Sequence, residues 1–228
     1  SSIYACRIFY WLDARDRALL VRRFYRHLGL LTVELLALPG MSAEELADAV
    51  EIRGVENLRG ALAQGKGALI LAAHIGNWEL GLAATVRLGI TSRTIVKAIK
   101  GRVGNYAVSR IRGTHGVMTL PRQDSVRQII TTLRQGDVIG VVLDQNVTAD
   151  EGVFTEFFGQ QACTMPALAV LAQRCDTPVI PVRFMRTPDL RHHLVEFLPA
   201  VQWESLGTDR AANVRHNTQR YTRLVETM

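Results

Sequence analysis

The first strong pattern along the chain is helical. Over residues 14–38 apolar side chains recur at Leu19, Leu20, Phe24, Leu28, Leu31, Leu35 and Leu38, the spacing of one helix face. Pro39-Gly40 stops that helix. Ahead of it, residues 3–12 form a short aromatic stretch (Tyr4, Phe9, Tyr10, Trp11), either a packing arm or a membrane-facing strip. Ser42 with Glu45 three residues on reads as a capped helix start. A short strand over 49–53 and a helix over 55–64, closed by Gly65, follow. Residues 67–73 then run apolar without a break, the mark of a strand buried on both faces. The run ends abruptly at His74. Gly76 and Asn77 break it, and a helix over 77–88 begins with Trp78-Glu79-Leu80 and ends at Gly89.

Beyond this turn the pattern predicts a strand over 94–99, a helix over 105–112, a strand over 117–120 and an amphipathic helix over 125–133 closed by Gly136. Residues 138–143 are a second buried strand, ending in the polar cluster Asp144-Gln145-Asn146. A loop spans 148–159, and a helix over 165–174 carries Pro166 in its first turn. The strand over 178–184 contains two prolines, which place it at a sheet edge or at a strand start. An alternating antiparallel strand over 193–198 and a helix over 211–226 complete the chain. A helical opening followed by strand–helix alternation predicts an α/β fold with a single mixed β-sheet flanked by helices. The chain divides into an N-terminal basic amphipathic helical region, 1–40, and an α/β domain, 41–228.

Charge sharpens this picture. The chain has 228 residues, enough for one substantial core or at most two small domains, and a formal net charge of +6. Between residues 80 and 123 there is no Asp or Glu, while Arg87, Arg93, Lys97, Lys100, Arg102, Arg110, Arg112 and Arg122 fall inside it. The basicity is therefore local and follows the histidine turn directly. Nucleic acid, anionic lipid and an acidic carrier protein are the partners such a charge admits. Arg15, Arg17, Arg22, Arg23 and Arg26 decorate the first helix, as solvated surface charges or as an interfacial face on anionic lipid. The three cysteines are odd in number and show no paired spacing, which argues against a disulfide framework and for a reducing compartment. No stretch of about 18 apolar residues is present to span a membrane. The chain opens on Ser1-Ser2 rather than Met, which leaves room for an N-terminal anchor ahead of it.

His74 is the candidate for chemistry. It stands where a buried strand ends and a turn leads into a helix, and open α/β sheets place their chemistry at the carboxyl ends of strands. Glu79 follows five residues later. With the helix starting near Asn77, Glu79 falls in the first turn and is expected to point back at the imidazole. A carboxylate bonded to one ring nitrogen fixes the tautomer and makes the other a general base. No Gly-x-Ser-x-Gly elbow is present, so the base is expected to act on a substrate hydroxyl. No metal is expected: there is no His-Glu-x-x-His, and one His with one Glu is too few ligands. No Walker loop or Gly-x-Gly-x-x-Gly indicates a nucleotide cofactor.

These residues carry a resemblance. His74-Ile-Gly-Asn-Trp-Glu79 resembles the His-x-x-x-x-Asp/Glu signature of glycerolipid-type acyltransferases, and more narrowly the bacterial lipid A late acyltransferase family, which is lysophospholipid acyltransferase-like. Val141-Val-Leu-Asp-Gln145, Gly152-Val-Phe-Thr-Glu-Phe-Phe-Gly159 and Pro178-Val-Ile-Pro-Val-Arg183 agree with it, and the resemblance runs from about Arg22 to Glu226. It implies a glycerolipid-acyltransferase-like fold and transfer of a fatty acyl group from an acyl thioester to a hydroxyl of a lipid A precursor or related glycolipid. No cofactor is expected, acyl carrier protein or coenzyme A thioester serving as co-substrate. His74 would be the base and Glu79 its partner, with backbone donors or cations holding the oxyanion.

Asn77, Lys97, Asn105, Arg122, Asp144, Gln145 and Phe154 are the expected substrate-binding residues. Asp144 and Gln145 serve otherwise as caps of the next turn, and Phe154, Phe157 and Phe158 divide between an acyl-chain channel and core packing. The expected partners are an anionic lipid or glycolipid acceptor, the acyl thioester and a membrane surface, with no nucleic acid. The expected location is the cytoplasmic face of the bacterial inner membrane. Other readings of the same residues are a glycerophospholipid or phosphoglycolipid acyltransferase, a thioesterase-type hydrolase in which His74 activates water, and a non-catalytic anionic-lipid-binding protein.

Overall fold

A computed structural model describes residues 12–96, 102–121 and 125–228, which leaves the aromatic stretch before Leu12 outside the described residues. Helix α1 (Ala14–Ala37) is capped by Asp13, whose side chain accepts a hydrogen bond from the Asp16 N–H at 2.8 Å. A 3₁₀ turn (Leu38–Gly40) ends it. Ser42 and Glu45 form a reciprocal capping box at the start of α2 (Ala43–Ala49). The chain continues through β1 (Val50–Arg53), α3 (Val55–Leu62), β2 (Ala68–Ala72), α4 (Trp78–Val86), β3 (Ser92–Val96) and α5 (Arg102–Thr114). Next come β4 (Met118–Pro121), α6 (Ser125–Arg134), β5 (Val138–Val142), β6 (Val153–Phe157) and β7 (Gln160–Thr164). Helix α7 (Ala167–Cys175), β8 (Val179–Arg186), β9 (His193–Phe197) and α8 (Arg210–Glu226) complete it.

Seven strands form one sheet in the order β1-β9-β8-β2-β5-β3-β4, and β6 and β7 form a separate hairpin. Within the sheet every pairing is parallel except β8 with β9, so the sheet is mixed and the fold is α/β. Strand β2 sits in the middle, between β8 and β5. Helices cover both of its faces, which is why Ala68-Leu-Ile-Leu-Ala72 has no polar position. Alternate residues feed two cores. Ala68 and Ala72 pack with Leu46 of α2, Leu58 of α3 and Leu80 of α4. Leu69 and Leu71 pack with Leu133 of α6, Leu168 of α7 and Tyr221 of α8. Leu69 and Leu71 have no exposed surface, and truncating either to Ala costs about 2–5 kcal/mol.

Two sequence expectations need correction. The prolines of 178–184 do not mark an edge strand: β8 lies third from the edge. Pro178 precedes the strand, but Pro181 is inside it. Its missing N–H falls opposite Leu198, one position past the last β8–β9 pair, Val182 with Phe197. The ladder is ending there, so a single bond is forgone, and the Pro181 carbonyl still accepts from the Leu198 N–H at 2.9 Å. Nor is 148–159 all loop. Residues 153–157 form β6, joined to β7 by the two-residue turn Phe158-Gly159. Both turn residues have positive φ, 49° and 71°, the twist that two-residue hairpins require. Helix α8 holds this hairpin: Gln219 bonds the Glu156 N–H and carbonyl at 2.7 and 2.9 Å, and Glu226 accepts from the Phe158 N–H at 2.7 Å.

Candidate active site

The parallel register of β2 and β5 builds the site. Their last ladder pair is Ala72 with Val142, and the Leu143 N–H donates to the Ala72 carbonyl at 3.0 Å. Counting on from that pair, His74 and Asp144 overhang by the same two residues, so they emerge side by side at the carboxyl edge of the sheet. Asp144 accepts two hydrogen bonds from His74: Nδ1 to Oδ1 at 2.8 Å, and backbone N–H to Oδ2 at 2.9 Å. Burial opposes the charged form of Asp144, but the bonds from the His74 ring and backbone outweigh it and hold the carboxyl below its ordinary value. A carboxylate only accepts, so Nδ1 carries a proton, and in the neutral form of the ring the lone pair is on Nε2. Nε2 bonds no described residue, and the imidazole is 33% exposed.

This changes the sequence reading of Glu79. The carboxylate on the imidazole is Asp144; Glu79 faces elsewhere. Helix α4 begins at Trp78, whose ring meets the imidazole edge-on, with centroids 4.9 Å apart and planes at 89°. The next residue lies about 100° further round the helix, which turns Glu79 toward α5. There Arg112 grips it with both Nε, at 2.8 Å, and Nη2, and Trp78 Nε1 donates to it at 3.2 Å. The Glu79 side chain is 7% exposed, and the paired carboxylate raises the Arg112 pKa further against the opposing effect of burial. Glu79 thus locks α4 to α5, while Trp78 walls one side of the imidazole.

The turn itself is tightly specified. Gly76 has φ +60°, and a Cβ there would lie 2.1 Å from the Phe184 carbonyl oxygen, so only glycine fits between the turn and β8. Asn77 is 2% exposed and caps α4 by accepting from the Leu80 N–H at 3.0 Å, while its amide donates to Glu34 at 2.7 Å. That occupies both ends of an expected substrate-binding side chain. Gln145 is exposed beside Asp144. Phe154 is 64% exposed on β6, Phe158 is also exposed, and Phe157 packs on the core shared by α7 and α8. Asn105 lies in α5. Lys97, Lys100 and Arg122 lie outside the described residues.

Of the acid-free basic stretch, three arginines serve the fold. Arg112 pairs with Glu79, Arg93 with Asp137, and Arg87 donates to the Val50 carbonyl at 2.9 Å. Among the described residues no cluster of His, Cys, Asp and Glu could hold a metal ion. An apolar cavity of about 50 Å³, bounded by Leu58, Ile70, Leu82, Val138, Phe184 and Phe197, lies under α4.

Sequence comparison gives the family of the chain. The curated relatives include a lipid A biosynthesis acyltransferase of Haemophilus influenzae, 22% identical over 70% of this chain and 50% of that protein. They also include a phosphatidylinositol mannoside acyltransferase of Mycobacterium tuberculosis, 27% identical over 65% of this chain and 48% of that protein. The chain spans about half the length of these relatives. A family model described as bacterial lipid A biosynthesis acyltransferase matches residues 8–228, nearly the whole chain, and the chain belongs to that family.

Proposed function

We propose that the protein transfers a fatty acyl group from an acyl thioester to a sugar hydroxyl of an anionic glycolipid, with His74 as general base. The observation that carries this reading is the His74–Asp144 pair, which ties Nδ1 to a carboxylate and leaves Nε2 open at the sheet edge. Nε2 takes the proton of the acceptor hydroxyl as its oxygen attacks the thioester carbonyl carbon. Asp144 stabilises the imidazolium that forms. When the C–S bond breaks, the proton passes from Nε2 to the departing thiolate. The first turn of α4, directly after the Gly76-Asn77 turn, brings the positive end of a helix to this edge, where the oxyanion develops. Glu79 supports the site through Arg112 and Trp78.

The relatives' names point to the acceptor class: lipid A biosynthesis for one, phosphatidylinositol mannoside for the other. Both concern sugars on an anionic lipid, and both fit the basic character of residues 80–123. Acyl carrier protein and coenzyme A are the donors compatible with that charge, and no further cofactor is invoked. Docking on the cytoplasmic face of the inner membrane is supported by α1. Val33 and Leu36 are 66% and 69% exposed on this helix, which also carries exposed Arg22 and Arg26 in its first half. No described helix is long and apolar enough to cross a membrane.

The test is an assay of purified protein with acyl carrier protein and coenzyme A thioesters against a panel of glycolipid and phospholipid acceptors. Acyl transfer that needs a glycolipid and disappears in His74→Ala supports the reading. Thioester cleavage at the same rate without an acceptor would make the protein a hydrolase instead.

A further inference from the structure

Helix α1 reaches the reaction edge at two points that the chemistry does not use. His27 Nε2 lies 3.2 Å from the carbonyl oxygen of Gly76. Two turns further on, Glu34 Oε2 accepts from Asn77 Nδ2 at 2.7 Å. An amide has one donating and one accepting end. Glu34 takes the donating end, so Oδ1 is turned to the Leu80 N–H and the cap of α4 is set. Glu34 is itself held from the sheet. Arg186, the last residue of β8, grips it with both Nη atoms, and His193, the first residue of β9, stands 3.4 Å away. Arg186 and His193 are almost wholly buried. Burial opposes the charge on Glu34, but the bonds from Arg186, His193 and Asn77 prevail and lower its pKa to about 2.

We infer that Glu34 is a positioning residue for the reaction: it fixes the Asn77 amide in its capping orientation and so sets the turn that carries His74. This rests on His74 being the base. Two functions meet on one carboxylate, and they separate by substitution. The bond from Asn77 needs only an acceptor. The pairing with Arg186 needs a negative charge. Gln supplies the first without the second, and Ala supplies neither.

The experiment compares Glu34→Ala and Glu34→Gln in the whole chain. It measures kcat and KM for the thioester and glycolipid, thermal stability, and hydrogen exchange at the Leu80 amide. Glu34→Ala is expected to lower kcat by about 10- to 100-fold with both KM values nearly unchanged, and to speed Leu80 exchange. Glu34→Gln is expected to restore kcat to within a few-fold and keep Leu80 protected, while melting as low as Glu34→Ala. A merely structural role makes rate and stability fall together in both variants. That result, or an unchanged kcat in folded Glu34→Ala, overturns the proposal. Should Glu34→Ala fail to fold because Arg186 is left buried and unpaired, Glu34→Ala combined with Arg186→Met gives the same comparison. Leu80 exchange needs no turnover, so a failure of the His74 assignment and a failure of the Glu34 proposal give different results.

Discussion

Two carboxylates flank the turn at the end of β2, and they have been given opposite partners. Asp144 meets an imidazole in a pair that is a third open on the histidine side. Glu79 meets a guanidinium and is nearly closed off from water. A guanidinium stays charged throughout the working pH range, so Glu79–Arg112 has no proton to exchange and serves only to hold two helices. An imidazole can take up and release a proton, and the Asp144 bond to Nδ1 directs that exchange to Nε2, so the direction of His74–Asp144 is set. The proposed chemistry thus rests on the partner of each carboxylate rather than on its distance along the chain to His74.

Substitutions at the two pairs test that contrast. His74→Ala is expected to lower turnover by about a thousandfold or more, with the fold retained, as measured in the acyl-transfer assay. Asp144→Asn should follow at about a hundred- to a thousandfold. The two bonds that Asp144 accepts come from two donors, and an amide has one accepting oxygen. The substituted side chain must therefore lose the backbone bond or force the ring proton onto Nε2. Glu79→Gln is expected to invert the pattern. Turnover stays within about tenfold, while leaving Arg112 without its counter-charge costs roughly 3 kcal/mol, a melting temperature lower by about 6–12 °C. If Glu79→Gln abolishes turnover at unchanged stability, the contrast fails and Glu79 belongs to the chemistry.

Acid titration sharpens the comparison by adding the third carboxylate. The Glu34 carboxyl is lowered from 4.5 to about 2. Its stabilisation is present above pH 4.5 and is lost as pH falls toward 2, because the unfolded chain binds the proton first. Urea unfolding across that window should show a steeper acid decline in the wild-type chain than in Glu34→Gln. Asp144 is lowered too, so Asp144→Asn should flatten the acid decline in the same sense. The smallest effect belongs to Phe154→Ser. With 64% of the residue already exposed, stability should change by about 0.5 kcal/mol or less. A selective loss with long-chain thioesters would give Phe154 a place on the acyl chain.

Much of the fold was legible because burial leaves a periodic trace. The unbroken apolar runs of β2 and β5 announce central strands, and Ser42 with Glu45 announces a helix start. His74 was legible for the same reason: a polar side chain ending such a run has nowhere to go but the sheet edge. Its partner was not. Glu79 is near in sequence but about a hundred degrees away around the helix, and Asp144 is seventy positions distant but adjacent across the register. The cue lay in two buried strands ending in polar residues after runs of similar length. Trp78 was visible only as part of the motif, and Arg112 only as one of eight basic residues without an acid among them. Nothing local could show that Glu34 reaches Asn77, since that contact depends on how α1 lies against β8 and β9. Pro181 misled because a proline's cost depends on where the neighbouring ladder ends.

The equal overhang of β2 and β5 has a consequence for how the protein matures. The proposed base and its partner follow strands separated by three other helices and two other strands, and they meet only when a non-local parallel pair has closed. Such pairings form late in folding. A slip of one residue would send the Asp144 side chain to the opposite face of the sheet. The proposed reactive centre is therefore a proofreading mark of its own assembly: a chain still collapsed but unregistered carries His74 with no carboxylate to orient it until the sheet is complete.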